Sequence, residues 1–87
     1  MENEQAKLFI LLEEQLCNYN LTTREQEIIK LWIRDYNYKE IASALSISDS
    51  TVRKHIDKVY TKLDVYSRSG LILRIIDKIV MENTTTL

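Results

Sequence analysis

Arg53, Lys54, Asp57 and Lys58 carry the most pointed chemistry in this 87-residue chain. On a helical repeat they share one side, while Val52, Ile56, Val59 and Leu63 share the other. One side is core and the other is left for a ligand. Catalytic alternatives are poorer. His55 is the single histidine and Cys17 the single cysteine, too few for a metal site of three or four ligands. A Cys-His nucleophile would also need an oriented third partner. His55 reads instead as a packed or phosphate-contacting residue. Glu40 has no second carboxylate or metal ligand near it in sequence, so a structural role is expected and the chain is read as no enzyme, with no cofactor and no metal.

The basic face needs a helix to carry it and a second helix to brace it. Residues 37–63 supply both, as a short helix, a turn of about four residues and a longer helix. This is what the major groove of DNA requires, because it admits one helix and leaves the partner to hold it in place. Asn37 can cap the short helix with Glu40 reaching back, and Ile41, Ala42 and Leu45 pack inward. Ser46 and Ile47 make the turn. Ser48 caps the longer helix, and Asp49, Ser50 and Thr51 form its first turn, where free N–H groups and hydroxyls can meet a phosphate. Upstream, Thr22 and Glu25 form a capping box for a helix carrying Ile28, Ile29, Leu31, Trp32 and Ile33, which ends at Asp35-Tyr36. Trp32 lies in an apolar row and reads as a core anchor rather than a stacking platform for bases.

Composition bounds the rest. The chain is one small domain, 45% apolar with one Gly and no Pro, which points to an all-α fold. A lone cysteine and the lack of a signal-like opening make a reducing cytoplasm the expected compartment. The longest apolar run, 8–12, falls far short of the roughly 20 residues a bilayer demands, so no membrane is expected as partner. Net charge is −1, yet residues 50–62 hold four bases against one acid while residues 1–20 hold one Lys against four Glu. The positive field therefore gathers on the candidate recognition helix.

A first helix is expected over about 3–18, with Leu8, Phe9, Leu12 and Leu16 as its stripe and Ile10 and Leu11 outside it. Partner contact or a place across the core would each account for that surplus. Asp64 occupies a left-handed position that Gly prefers, and Ser67 can cap a last helix over about 68–81. That helix carries Leu71, Ile72, Ile75, Ile76 and Ile79, more apolar surface than one face buries, so these residues are expected in a dimer interface. Disorder is expected only in the tail that follows.

LTTRE, KEIASAL, SISDSTVRKHI and KLDVYSRSGLI, in this order and spacing over residues 21–80, resemble the LuxR-type (GerE-like) helix-turn-helix family. The resemblance implies a four-helix domain, here with an additional N-terminal helix. Its third helix enters the major groove and its fourth mediates dimerisation. It implies base-facing roles for Arg53, Lys54 and Asp57, and backbone contacts from Lys39, Ser50, Thr51 and Lys58. The chain departs from the family pattern at Asp57, where a base or neutral residue is less surprising, and at Asp64, where Gly is usual. Asp57 is expected to pair with Arg53 one turn before it or to accept from cytosine, in either case penalising misregistered complexes. The expected organisation is an N-terminal helix over 1–20, the DNA-binding domain over 21–82 and a flexible tail over 83–87. The implied function is a sequence-specific bacterial transcription regulator binding double-stranded DNA as a homodimer, with RNA polymerase or another regulator as a further partner. An initiating Met favours a complete small regulator over a fragment. Two rivals remain: a sigma-factor-like promoter-recognition domain, which the SRSGLILRII segment disfavours, and a protein-interaction module, which the Arg53-Lys54 pair disfavours.

Overall fold

The computed structural model describes residues 4–84, all of whose regular structure is helical: α1 (Glu4–Gln15), α2 (Thr23–Trp32), α3 (Tyr38–Leu45), α4 (Asp49–Leu63) and α5 (Arg68–Thr84). A single 3₁₀ turn, Leu16–Asn18, follows α1. The all-α expectation, four helices plus an N-terminal one, therefore holds. None of the described helices is long and apolar enough to cross a membrane.

Side-chain caps decide where the helices start. Thr22 accepts from the Glu25 N–H at 3.1 Å while Glu25 Oε1 accepts from the Thr22 N–H at 2.9 Å, and Asn37 and Glu40 repeat the exchange at 2.8 and 2.9 Å. Ser48 takes the Thr51 N–H at 3.1 Å, and Ser67 takes the Gly70 N–H at 3.0 Å. Each such cap stabilises its helix by about 1 kcal/mol.

The helix ends share a device of which the sequence revealed one case. Asp35, Ser46 and Asp64 all adopt the left-handed conformation, at φ of 72°, 56° and 56°. Each precedes a residue whose N–H reaches back five positions: Tyr36 to the Leu31 carbonyl, Ile47 to Ala42 and Val65 to Tyr60. These are Schellman-type endings, usually given to Gly, built here on Asp and Ser. The second helix consequently stops at Trp32, before the expected Asp35-Tyr36, because residues 33–35 already wind into this closing turn. At the other end α5 continues through Thr84, beyond the expected Met81. Residues 85–87 of the anticipated tail lie outside the described residues.

The core forms where α3 and α2 pack on α4, with α5 closing one side and α1 lying on α5. Ile28, Ile29, Ile41, Val52, Val59, Leu71 and Ile75 are fully buried. Each contributes about 1.5–3 kcal/mol relative to exposure. Of the stripe expected on the first helix, Leu12 in α1 and Leu16 in the turn after it enter the core, whereas Leu8 stays 43% exposed, as do Ile10 and Leu11 outside the stripe at 38 and 45%. Arg34 holds α1 in place by pairing with Glu13 at 2.7 Å and lying over the Phe9 ring.

Candidate nucleic-acid interface

Helix α4 presents the two sides its spacing predicts. Val52, Ile56, Val59 and Leu63 are buried, and Arg53, Lys54, Asp57 and Lys58 are exposed. Lys39, at the start of α3, and Ser50, at the start of α4, are also exposed, and Thr51 is half-buried. The Ser48 hydroxyl lies 3.1 Å from that of Ser50 and 2.8 Å from that of Thr51, so three hydroxyls cluster where α4 offers its first N–H groups. Such an end attracts an anion through unpaired donors and the helix dipole. Asp49, in the same turn, limits that attraction.

Two positively charged side chains have partners that the sequence does not show. Lys62, one of the four bases counted on this segment, turns away and meets Glu25 Oε1 at 2.7 Å. Glu25 is 2% exposed. Burial alone would raise its pKa, but the hydrogen bonds from Lys62 and the Thr22 N–H together hold it below the ordinary glutamate value. Its capping role is thus joined by a cross-link between the start of α2 and the end of α4, which sequence spacing could not reveal across 37 residues.

Arg53 is the second. Its guanidinium carbon lies 4.2 Å from the centroid of the Tyr38 ring, and it forms no ion pair with Asp57. The expected Arg53–Asp57 pair along the helix is therefore absent, because the aromatic face beside Arg53 competes with a surface ion pair worth only a few tenths of a kcal/mol. Tyr38 in turn stacks on Trp32, with centroids 5.0 Å apart and planes at 26°. Trp32 is 8% exposed, a core anchor as its apolar row implies, and donates its indole N–H to the Tyr60 hydroxyl at 2.9 Å. Burial pushes the Tyr60 phenol up, which keeps it protonated and neutral. Arg68 covers Trp32 at 3.5 Å and holds Asp35 Oδ1 at 2.5 Å and the Tyr36 carbonyl at 2.9 Å. The α2–α3 turn is thereby fixed to the start of α5. Tyr38 was not singled out from sequence. Its place directly after the Asn37 cap and before Lys39 was the available signal.

Other singled-out residues have plainer surroundings. His55 is half-buried and its Nδ1 has no hydrogen-bond partner. Cys17 is exposed and donates to the Glu14 carbonyl at 3.1 Å. Of the five apolar residues assigned to a dimer interface, Leu71 and Ile75 are completely buried within the chain, so they have no surface left to give a partner. Ile72, Ile76 and Ile79 are half-buried, and Leu73 and Val80 on the adjoining side are 58 and 52% exposed.

Residues 19–75 match the family described as bacterial regulatory proteins, luxR family. The chain is 45% identical over 56 residues to the spore germination protein GerE of Bacillus subtilis, covering 64% of this chain and 76% of GerE. It is 42% identical over 65 residues to the transcriptional regulatory protein DesR of Bacillus subtilis, covering 74% of this chain and 33% of DesR. With the response regulator protein VraR of Staphylococcus aureus it shares 40% over 53 residues, 61% of this chain and 25% of VraR. The match thus spans about three quarters of GerE but only a third of DesR and a quarter of VraR. No solved structure gives a significant match. A family model covering more than half of the chain, on the very segment that forms α2, α3, α4 and the start of α5, fixes its membership: the chain belongs to the luxR family of bacterial regulatory proteins, DNA-binding regulators of transcription.

Proposed function

We propose that this chain is a cytoplasmic, sequence-specific transcription regulator that inserts α4 into the major groove of double-stranded DNA and acts as a homodimer. The observation that carries the reading is the exposed basic face of α4 directly opposite its buried one. Arg53, Lys54 and Asp57 face base edges in this reading. Lys39, Ser50, Thr51 and Lys58 contact the phosphate backbone and set the register.

The dimer reading rests on α5. With Leu71 and Ile75 buried in the core, the surface for a second copy consists of Ile72, Leu73, Ile76 and Val80, bordered by Ile79. Two α4 helices about one DNA turn apart, roughly 34 Å, would match a near-palindromic site. Tyr66, 90% exposed at the α4–α5 junction, is a large side chain that this arrangement leaves uncovered. It favours a further protein contact there, such as RNA polymerase or another regulator, and keeps the adaptor reading in play.

A mobility-shift titration with the DNA upstream of the chain's own gene, at low and moderate salt, tests the proposal. Specific retardation is expected for the wild type. The Arg53→Ala, Lys54→Ala double variant should lose it, and equal affinity of the two proteins would refute the DNA reading in favour of the adaptor.

A further inference from the structure

We propose that Tyr38 is a positioning residue for recognition: it holds the Arg53 guanidinium in the plane from which Arg53 reads a guanine. This rests on the reading of α4 as the groove-binding helix.

The geometry is a series of contacts, two guanidinium groups each lying over an aromatic ring and the two rings stacked on one another. Arg68 is tied to Asp35 and the Tyr36 carbonyl and lies 3.5 Å from the Trp32 ring centroid. Trp32 is held by its indole hydrogen bond to Tyr60 and stacks on Tyr38. Tyr38 ends the series by carrying Arg53 at 4.2 Å. One end of the column is anchored in the fold, and the other is an exposed arginine on the recognition helix.

Stacking engages a guanidinium through its face. All five N–H groups lie in its plane and point outward, so a stacked arginine keeps its hydrogen-bonding edge free. The fork that bonds guanine O6 and N7 is that same edge. Tyr38 can therefore restrict the rotation of Arg53 without occupying the donors that read the base, and less side-chain freedom remains to be lost on binding. An Arg53–Asp57 pair, by contrast, would engage those donors, and it does not form.

The test uses the full chain, a duplex enriched by wild-type protein from a random-sequence library, and a shuffled duplex of equal length. Tyr38→Leu and Tyr38→Met keep apolar cover over Trp32 but remove the π face, while Tyr38→Phe keeps it. The expected ratio of enriched to shuffled affinity falls about two- to fivefold for Leu and Met, the equivalent of one exposed cation–π contact, and stays at wild type for Phe. Binding to the shuffled duplex should be unchanged throughout, which a general loss of fold would not permit. In an Arg53→Ala background Tyr38→Leu should have no further effect on the ratio. An unchanged or increased ratio for both Leu and Met, or effects that simply add to that of Arg53→Ala, would overturn the proposal while leaving the DNA reading intact. If wild-type protein enriches no sequence, the specific-binding reading fails and this inference with it.

Discussion

Replacing Glu25 by Gln removes one charge from the cross-link between α2 and α4 while preserving its shape. The amide oxygen can still accept from the Thr22 N–H and from Lys62, which now approach Oε1 at 2.9 and 2.7 Å. Hydrogen bonds to a charged group contribute about 1.5–3 kcal/mol and neutral ones about 0.5–1.5, so weakening two of them is opposed by the easier burial of a neutral amide. Lys62 keeps a third of its side chain in water, which screens its share. A net loss of about 1 kcal/mol at neutral pH is expected, a fall in Tm of roughly 4–8 °C for a domain of this size. The pH dependence gives the decisive signature. Because the folded pKa of Glu25 is lowered, its carboxylate contributes stability above the unfolded value of about 4.3, and that contribution disappears as pH falls through the folded value. Thermal melts by circular dichroism from pH 7 down to about 3 should show the gap between wild type and variant closing in acid. Lys62→Met should be more harmful than Glu25→Gln at pH 7, since it leaves a buried carboxylate without its cation. A Glu25→Gln gap that is zero at pH 7, or that stays constant into acid, would refute this account.

Ser46→Gly should raise stability by about 1 kcal/mol, because Ser46 is exposed and left-handed and its side chain forms no hydrogen bond that would be lost; denaturant unfolding measures it. Ile76→Glu should abolish self-association in sedimentation without unfolding the chain, whereas Leu71→Ala, in the core, should cost about 2–5 kcal/mol in either state. Lys58→Ala should weaken all duplexes and flatten the dependence of log K on log salt by about one unit, while Arg53→Ala should cost about 1–3 kcal/mol on the specific site alone. Asp57→Ala should tighten binding to random DNA and narrow the gap to the specific site, as competition shifts would show; equal weakening on both would assign Asp57 to the fold.

The sequence by itself determined what depends on neighbours three or four residues apart. Thr22 with Glu25, Asn37 with Glu40, and Ser48 with Thr51 place the starts of three helices, since a cap and the N–H it accepts from lie within one turn. The division of α4 into a buried side at Val52, Ile56, Val59 and Leu63 and a basic side opposite is equally local, a consequence of the helical repeat. Asp64 as a left-handed helix end was legible against the family pattern, where Gly is usual. Asp35 and Ser46 were not, because a polar residue in a connection is ordinary and only the reversal of the chain demands positive φ. In α5 the abundance of Leu and Ile made its period ambiguous, and packing alone chose Leu71 and Ile75 as core while leaving Ile72 and Ile76 partly outside. Arg53, Lys62 and Arg68 show the same limit at the surface. A long cationic side chain reaches several ångströms in any direction, and whether it meets Tyr38, Glu25 or Trp32 depends on which helices tertiary packing has brought alongside.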